Sequence, residues 1–600
     1  MPDQIHKDHA YTVSALSRAQ RWKYLAFSAA WAASALFFWG WWFDPAHNLG
    51  TFRLSVISFC IGWLYVMQLY FIVILQCARV PGTPAPAPGQ LRVAMIVTKT
   101  PSEPFALVRQ TLEGMLAQDY PHDTWLADED PSDETLDWCA LHNVNISCRK
   151  GIDDYHRPSW PRRRRCKEGN LAYFYDRWGY DHYDIVAQFD ADHIPEPTYL
   201  QEVLRPFADP KVGYVSAPSI CSRNAHDSWA ARARLHTEAA FHGVVQTGFA
   251  GALAPMCIGS HYTVRTKALK EAGGLGPELA EDHSTSMLMA AKGWRGVHAI
   301  NAIAHGDGPA NAADLATQEF QWSRSLLTLL LQYSGPYLAA MPLRLRFQFV
   351  LCQLWYPIFA ACMTALYLVP IFALVFDMRY ADVTYPAFIG HASPTVLVLI
   401  ACAYAMRADG FMRPGDARII SWDKGLFLGL QWPWVLWGCL MALRDKITGS
   451  FVDFRVTPKG DAATRQIPKR VVNVYILLAL GCLLPVFLAD RLSAARGFYI
   501  LSIINGVIYT AIVAMIAYQH VKENGPLHLG RMWKSGYSIV TSAALVIVVA
   551  SAVAYRGLES LYALSLGMEP LRIARAEYSA SGAGVGGKTI VHFRFDPGWN

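Results

Sequence analysis

Tyr183-Asp184-Ile185-Val186-Ala187-Gln188-Phe189-Asp190-Ala191-Asp192-His193 is a mostly apolar run that stops on two carboxylates one residue apart. It reads as a buried strand that delivers Asp-x-Asp to its carboxyl end. Asp190 and Asp192 there present hard oxygen ligands, which suit Mg²⁺ or Mn²⁺. The same triplet also occurs in solvated turns, so its weight depends on the rest of the chain.

Around this strand, residues 91–334 alternate short strands and helices as an α/β domain does. A strand at 91–97 opens it, and the next helix carries Leu107, Thr111, Met115 and Leu116 at roughly helical spacing. Outside it the composition changes. The chain has 600 residues, 53% of them hydrophobic and 17% charged, with 20 Trp. That balance points to a membrane protein with one sizeable polar part. Runs at 24–43, 54–77, 349–376, 391–406, 471–489, 498–518 and 535–555 each approach the ~20 apolar residues a bilayer needs. An eighth run, 425–443, is Trp-rich and flanked by Asp423, Lys424, Arg444 and Lys446, so it reads as a helix lying in the interface.

Arg18, Arg21 and Lys23 precede the first span, Arg79 follows the second, and Lys522, Arg531 and Lys534 precede the last. The positive-inside rule then puts the amino terminus and the α/β domain in the cytoplasm and the tail outside. The expected organisation is 1–80 with two spans, a Pro-rich linker at 81–90, the α/β domain at 91–335, a membrane region at 336–556 and an external tail at 557–600. The tail alternates over residues 589–595 like a small β element. The net charge of +6 is explained by inside loops, which argues against a nucleic-acid partner.

Other candidate site residues fall at strand ends. Thr98 and Glu103 lie in the loop after the first strand, and Asp128 with Asp130 follows a second strand. Ligands of open α/β sheets sit at that edge. Asp128 there can accept from a nucleobase N–H, or belong to a solvated turn. Lys167, after the run Arg162 to Arg165, can meet a diphosphate as a point charge, with Gly169 permitting a close backbone approach. Glu281 and Asp282 follow a glycine-rich turn. Asp282 suits a general base for an acceptor hydroxyl, or a helix cap. Gln318 and Trp322 share one helix face, where an indole offers a platform for a sugar ring or a membrane anchor.

As a set, Asp128, Asp190-Ala191-Asp192, Glu281-Asp282 and Gln318-x-x-x-Trp322 resemble the D, DxD, TED and QxxRW series of processive family 2 glycosyltransferases, the cellulose synthase-like group. The likeness covers about residues 91–334 and takes in Gly259-Ser260 and Ala272-Gly273-Gly274. Phe454-Arg455-Val456-Thr457-Pro458-Lys459-Gly460 is similar to the FxVTxKG gating loop of cellulose synthases, in a segment at 450–462.

The resemblance implies a GT-A domain, Rossmann-like, inserted between transmembrane helices of a polytopic protein in the bacterial inner membrane. It implies inverting transfer from UDP-glucose to a growing β-glucan chain that is exported across the bilayer, with accessory export proteins as further partners. Thr98, Glu103, Asp128, Lys167 and Asp190 would bind UDP, Asp190 and Asp192 the Mg²⁺ or Mn²⁺, and Asp282 with Glu281 would be catalytic. Gln318 and Trp322 would hold the acceptor, and Phe454, Val456, Thr457 and Lys459 would cover the nucleotide.

Two positions depart from the pattern. Ala280 replaces the TED threonine, and Gln321 replaces the QxxRW arginine, leaving Gln321 and Arg324 as the diphosphate contacts to consider. With an outside carboxyl terminus and no PilZ-like domain after the last span, the pattern is most similar to the curdlan branch, which makes β-1,3-glucan. Cellulose, mixed-linkage glucan, another β-polysaccharide, or single transfer to a lipid acceptor stay open.

Overall fold

The computed structural model describes residues 11–277, 280–449, 469–490, 492–523, 529–566, 572–581 and 588–596. Seven strands form the central sheet: β1 (Val93–Lys99), β2 (Asp123–Asp128), β3 (Asn145–Ser147), β4 (Ile185–Phe189), β5 (Val212–Ser216), β6 (His261–Arg265) and β7 (Arg295–His298). Their order is β7-β5-β6-β4-β1-β2-β3. Only β6 is antiparallel to its neighbours, β4 and β5; the other pairs are parallel.

A parallel strand covered on both faces must be apolar nearly throughout. β1, β4 and β5 are buried along their whole length, as such runs require. Alternate residues face opposite layers. Met95 and Val97 join a core with Leu112, Met115 and Tyr199, while Ala94 and Ile96 join one with Leu171, Phe174 and Met287. Gln188, polar in mid-strand, accepts from the Tyr175 hydroxyl at 3.1 Å.

Five helices bear on the site: α1 (Lys167–Phe174), α2 (Trp229–Ala240), α3 (Glu281–Ala291), α4 (Ala312–Thr328) and α5 (Trp422–Thr448). The amphipathic helix expected around Gln318 to Ser325 is α4, packed along α5. Gly438 of α5 lets the helices approach, since a Cβ there would meet Ser323 and the Phe320 carbonyl. Gln431 donates to Glu319 at 2.7 Å, and Arg324 Nε donates to Asp445 at 2.8 Å.

The Pro-rich segment is docked on the α/β domain. Thr83 Oγ1 donates to the Arg205 carbonyl at 3.0 Å, and the Tyr120 hydroxyl to the Ala87 carbonyl at 3.2 Å. By contacts the chain divides into two compact units, comprising the described residues of 1–24, 69–361 and 403–465, and of 25–68, 362–402 and 466–600.

Seven helices among the described residues are long and apolar enough to cross a membrane: Thr51–Gln76, Leu343–Phe376, Tyr385–Ala408, Trp422–Thr448, Lys469–Leu488, Phe498–Gln519 and Ile539–Ser565. The number equals the sequence expectation, but the membership differs by one. Trp422–Thr448, expected in the interface, is among them. Arg18–Trp42, expected to cross, is not among the seven. The protein is thus a GT-A-type α/β domain combined with a polytopic set of apolar helices. In the tail, Arg572–Ser581 pairs antiparallel with Lys588–Asp596, where alternation predicted a β element.

Candidate functional site

The carboxyl ends of β2, β1 and β4 lie side by side, in a register that pairs Lys99 with Asp128 and Val97 with Phe189. Parallel pairing therefore brings Asp128 and Asp190 to one sheet edge. Asp128 is fully buried, and its carboxylate lies 2.9 Å from Lys99 Nζ. A buried carboxylate needs such a partner. Thr98 donates to the Phe189 carbonyl at 3.4 Å, tying β1 to the strand that ends in Asp190. Glu103 turns back on its own loop and accepts from the Thr100 N–H at 2.8 Å.

Lys167 opens α1 and joins the second half of the site. Its ammonium donates to Asp190 Oδ1 at 2.7 Å and to the Gly259 carbonyl at 2.6 Å. The Asp190 N–H donates to the Ser260 carbonyl at 2.7 Å. Gly259 lies against Asp282, because a Cβ built there would stand 3.2 Å from Asp282 Oδ2. Burial lowers the Lys167 pKa, but Asp190, Glu281 and Asp282 together outweigh it, so the lysine titrates above its ordinary range. The same cluster acts on the acids. Burial holds the Glu281 carboxyl well above its usual range against the pull of Lys167, with Asp282 and Asp190 adding to the rise. Asp282 is also raised by burial, opposed by the His283 N–H, Lys167 and the Gly259 N–H.

Asp282 does not cap α3. The cap position is Ala280 and makes no side-chain bond, while Asp282 lies in the first turn with Oδ1 accepting from the His283 N–H at 2.7 Å. Asp282 keeps partial exposure, whereas Glu281 is buried. Of the two, Asp282 is the carboxylate with access to a ligand. Gly169 serves packing rather than ligand approach: a Cβ there would strike the Arg163 carbonyl and the Arg149 guanidinium.

Asp192 is buried, with His193 Nδ1 3.2 Å from its carboxylate. Burial disfavours the imidazolium, but Asp192 overcomes this and holds the His193 pKa at about 10. Among the described residues no group of three or more His, Cys, Asp or Glu side chains is arranged to hold a metal by itself. A Mg²⁺ or Mn²⁺ ion that keeps substrate phosphates among its ligands needs only one or two protein carboxylates. Asp190, which retains about a third of its side-chain exposure, and Asp192 fit that requirement.

On α4, Gln318 Oε1 accepts from Arg234, and the Trp322 indole lies beneath the same guanidinium, 4.2 Å from ring centroid to Cζ. Trp322 remains 38% exposed. Arg324 points its guanidinium to Asp445, and Gln321 is buried. Phe454, Val456, Thr457 and Lys459 lie outside the described residues.

Lys99, His193 and Arg234 were not singled out in the sequence. Lys99 carried only the signal of ending the apolar strand β1; that it stands opposite Asp128 follows from the strand pairing. Arg234 carried none, being 84 residues from Gln318 in an unremarkable helix.

Residues 185–407 match the model for Glycosyl transferase family group 2. That span contains Asp190, Asp192, Glu281, Asp282, Gln318 and Trp322. The chain is similar to cellulose synthase 1 of Komagataeibacter xylinus, 26% identical over 293 residues, which cover 47% of this chain and 18% of that protein. It is similar to the cellulose synthase catalytic subunit of Xanthomonas axonopodis pv. citri, 26% identical over 271 residues, or 43% of this chain and 34% of that one. The chain thus spans about a fifth to a third of the length of these relatives. A mannosyltransferase of Pyrobaculum calidifontis, solved with GDP-Man and Mn²⁺, aligns at 16% identity and TM-score 0.44, covering 66% of this chain and 98% of its own.

The site therefore lies largely in the part of the chain that matches the Glycosyl transferase family group 2 model, in a chain with helices long and apolar enough to cross a membrane. Within that class its similarity is to the cellulose synthases.

Proposed function

We propose that this protein is a processive, inverting glycosyltransferase that polymerises glucose from UDP-glucose into a β-glucan and passes the chain across the bacterial inner membrane. The observation that supports it most is the Lys167 junction. One ammonium bonds the Asp190 carboxylate and the Gly259 carbonyl, and Gly259 lies against Asp282. A diphosphate end and a base end thus meet at one residue.

In this reading Asp128 and Lys99 form the nucleoside end, with Thr98 and Glu103 shaping its loop. Asp190 and Asp192 hold Mg²⁺ or Mn²⁺, which supplies positive charge for the leaving diphosphate. Lys167 adds a fixed cation at the same place, the kind of preorganised charge that contributes most to group transfer. Asp282 takes the proton from the acceptor hydroxyl as its oxygen attacks the anomeric carbon and the bond to UDP breaks. One displacement without an enzyme-bound sugar inverts the centre. Trp322 and Gln318 hold the acceptor sugar.

We place the α/β domain and amino terminus in the cytoplasm and the tail outside, with Arg18–Trp42 crossing the bilayer and Trp422–Thr448 lying along its surface, in keeping with the positions of Arg18, Arg21, Lys23 and Arg79. We assign the linkage as β-1,3, on the replacement of the QxxRW arginine by Gln321. Methylation linkage analysis of polymer made from UDP-glucose tests this: 3-linked glucose is expected, and 4-linked glucose would move the assignment to cellulose.

A further inference from the structure

Arg234 of α2 is only 3% exposed, yet its charge is not spent on packing alone. Its Nε donates to Glu238 at 3.1 Å and its Nη2 to Glu319 at 2.8 Å, while Nη1 donates to Gln318 Oε1. Glu319 accepts in addition from Gln431 at 2.7 Å. Two carboxylates thus hold the fork in place and offset the cost of burying it. The plane so fixed lies over the Trp322 indole, 4.2 Å from the ring centroid. A planar guanidinium can stack on an indole and hydrogen-bond at its edge at the same time, which a lysine cannot.

The arrangement sets two groups in one register. The indole is backed by the cation, and the exposed remainder of Trp322 is left for a ligand. Gln318 has its carbonyl oxygen committed to Arg234, so its amide presents N–H donors. An aromatic surface beside amide donors, one helical turn apart, is the chemistry that receives a sugar ring and its hydroxyls.

We propose that Arg234 is a positioning residue for the acceptor end of the site. It holds Trp322 and Gln318 in the pose that binds the terminal sugar, and so governs acceptor affinity and product length, not donor binding. This rests on the function proposed above.

The test uses the full-length protein in detergent with UDP-glucose, Mg²⁺ and β-linked gluco-oligosaccharides as acceptors. Arg234→Lys keeps a cation opposite Glu319 and Glu238, so it preserves the fold better than a neutral replacement. The acceptor concentration for half-maximal transfer should rise about tenfold and the product should shorten, while half-saturating UDP-glucose stays within about twofold. In a Trp322→Ala background the same substitution should change acceptor dependence less than twofold, because contacting residues do not act additively. Unchanged acceptor dependence in Arg234→Lys, or equal losses for donor and acceptor, would overturn the assignment while leaving the proposed function standing. Wild-type protein that releases no UDP from UDP-glucose would overturn that function, and the assignment with it.

Discussion

Lys167 and Asp190 are joined by a 2.7 Å ion pair, and the same ammonium reaches the Gly259 carbonyl beside Asp282. The pair links the end of β4, at Asp190, to the start of α3, at Asp282. Three carboxylates, Asp190, Glu281 and Asp282, act electrostatically on this one cation.

Lys167→Met should therefore do more than remove a phosphate contact. It leaves Glu281 and Asp282 without their cation and raises both carboxyls further, so the base is protonated over a wider pH range. UDP release from the sugar nucleotide should fall about 10²–10³-fold, the range for losing one preorganised charge. A steady-state UDP-release assay reads this. A loss under threefold would place Lys167 outside the chemistry.

In the reading proposed above, Asp282 is the base and sets the pH dependence. A base works when deprotonated, so the rate falls as pH drops through its pKa. Burial raises that pKa, which places the acid limb above the ~4 of an exposed carboxylate. A rate profile between pH 4 and 8 at saturating UDP-sugar checks it, and a limb at or below pH 4 would contradict the burial argument.

Lys99 and Asp128 form a buried pair at the sheet edge. Removing one partner strands the other charge, at about 3–5 kcal/mol, whereas replacing both with apolar groups is often close to neutral. Lys99→Met should lower the thermal midpoint of the detergent-solubilised protein, and Lys99→Met with Asp128→Leu should regain much of the loss. Both variants should bind UDP more weakly in calorimetry, because in our reading this pair faces the nucleoside.

Arg324 is held by Asp445 across the α4–α5 contact. Arg324→Gln should reduce thermal stability while leaving half-saturating UDP-glucose within about twofold. A rise of tenfold or more, at unchanged stability, would instead show that Arg324 reaches the diphosphate.

What was legible in the sequence depended on how local each signal is. Ile185 to Phe189 could be read as a buried strand because parallel strands need unbroken apolar runs, and Asp190 and Asp192 followed from where the run stops. α4 could be read because Gln318 and Trp322 lie one turn apart on a continuous helix. The Lys99–Asp128 pair requires the β1–β2 register, which only tertiary pairing sets. Arg234 requires knowing that α2 packs under α4. Gly169 was read as letting the backbone approach a ligand, and the crowding by Arg163 and Arg149 that assigns it to packing comes from elements folded around it. The helix Trp422–Thr448 shows a further limit, since composition gives its length and apolarity but not that Gly438 and Asp445 serve its contact with α4.

The most direct measurement compares wild-type protein and Asp282→Asn, both purified at full length, for UDP binding and for polymer made from radiolabelled UDP-glucose with Mg²⁺. The wild type should yield β-glucanase-sensitive polymer that disappears when the metal is chelated. Asp282→Asn should bind UDP within about threefold of wild type yet lose at least ~10²-fold in transfer, as expected for loss of a general base. Undiminished turnover in Asp282→Asn, or UDP release by the wild type without any polymer, would contradict the account.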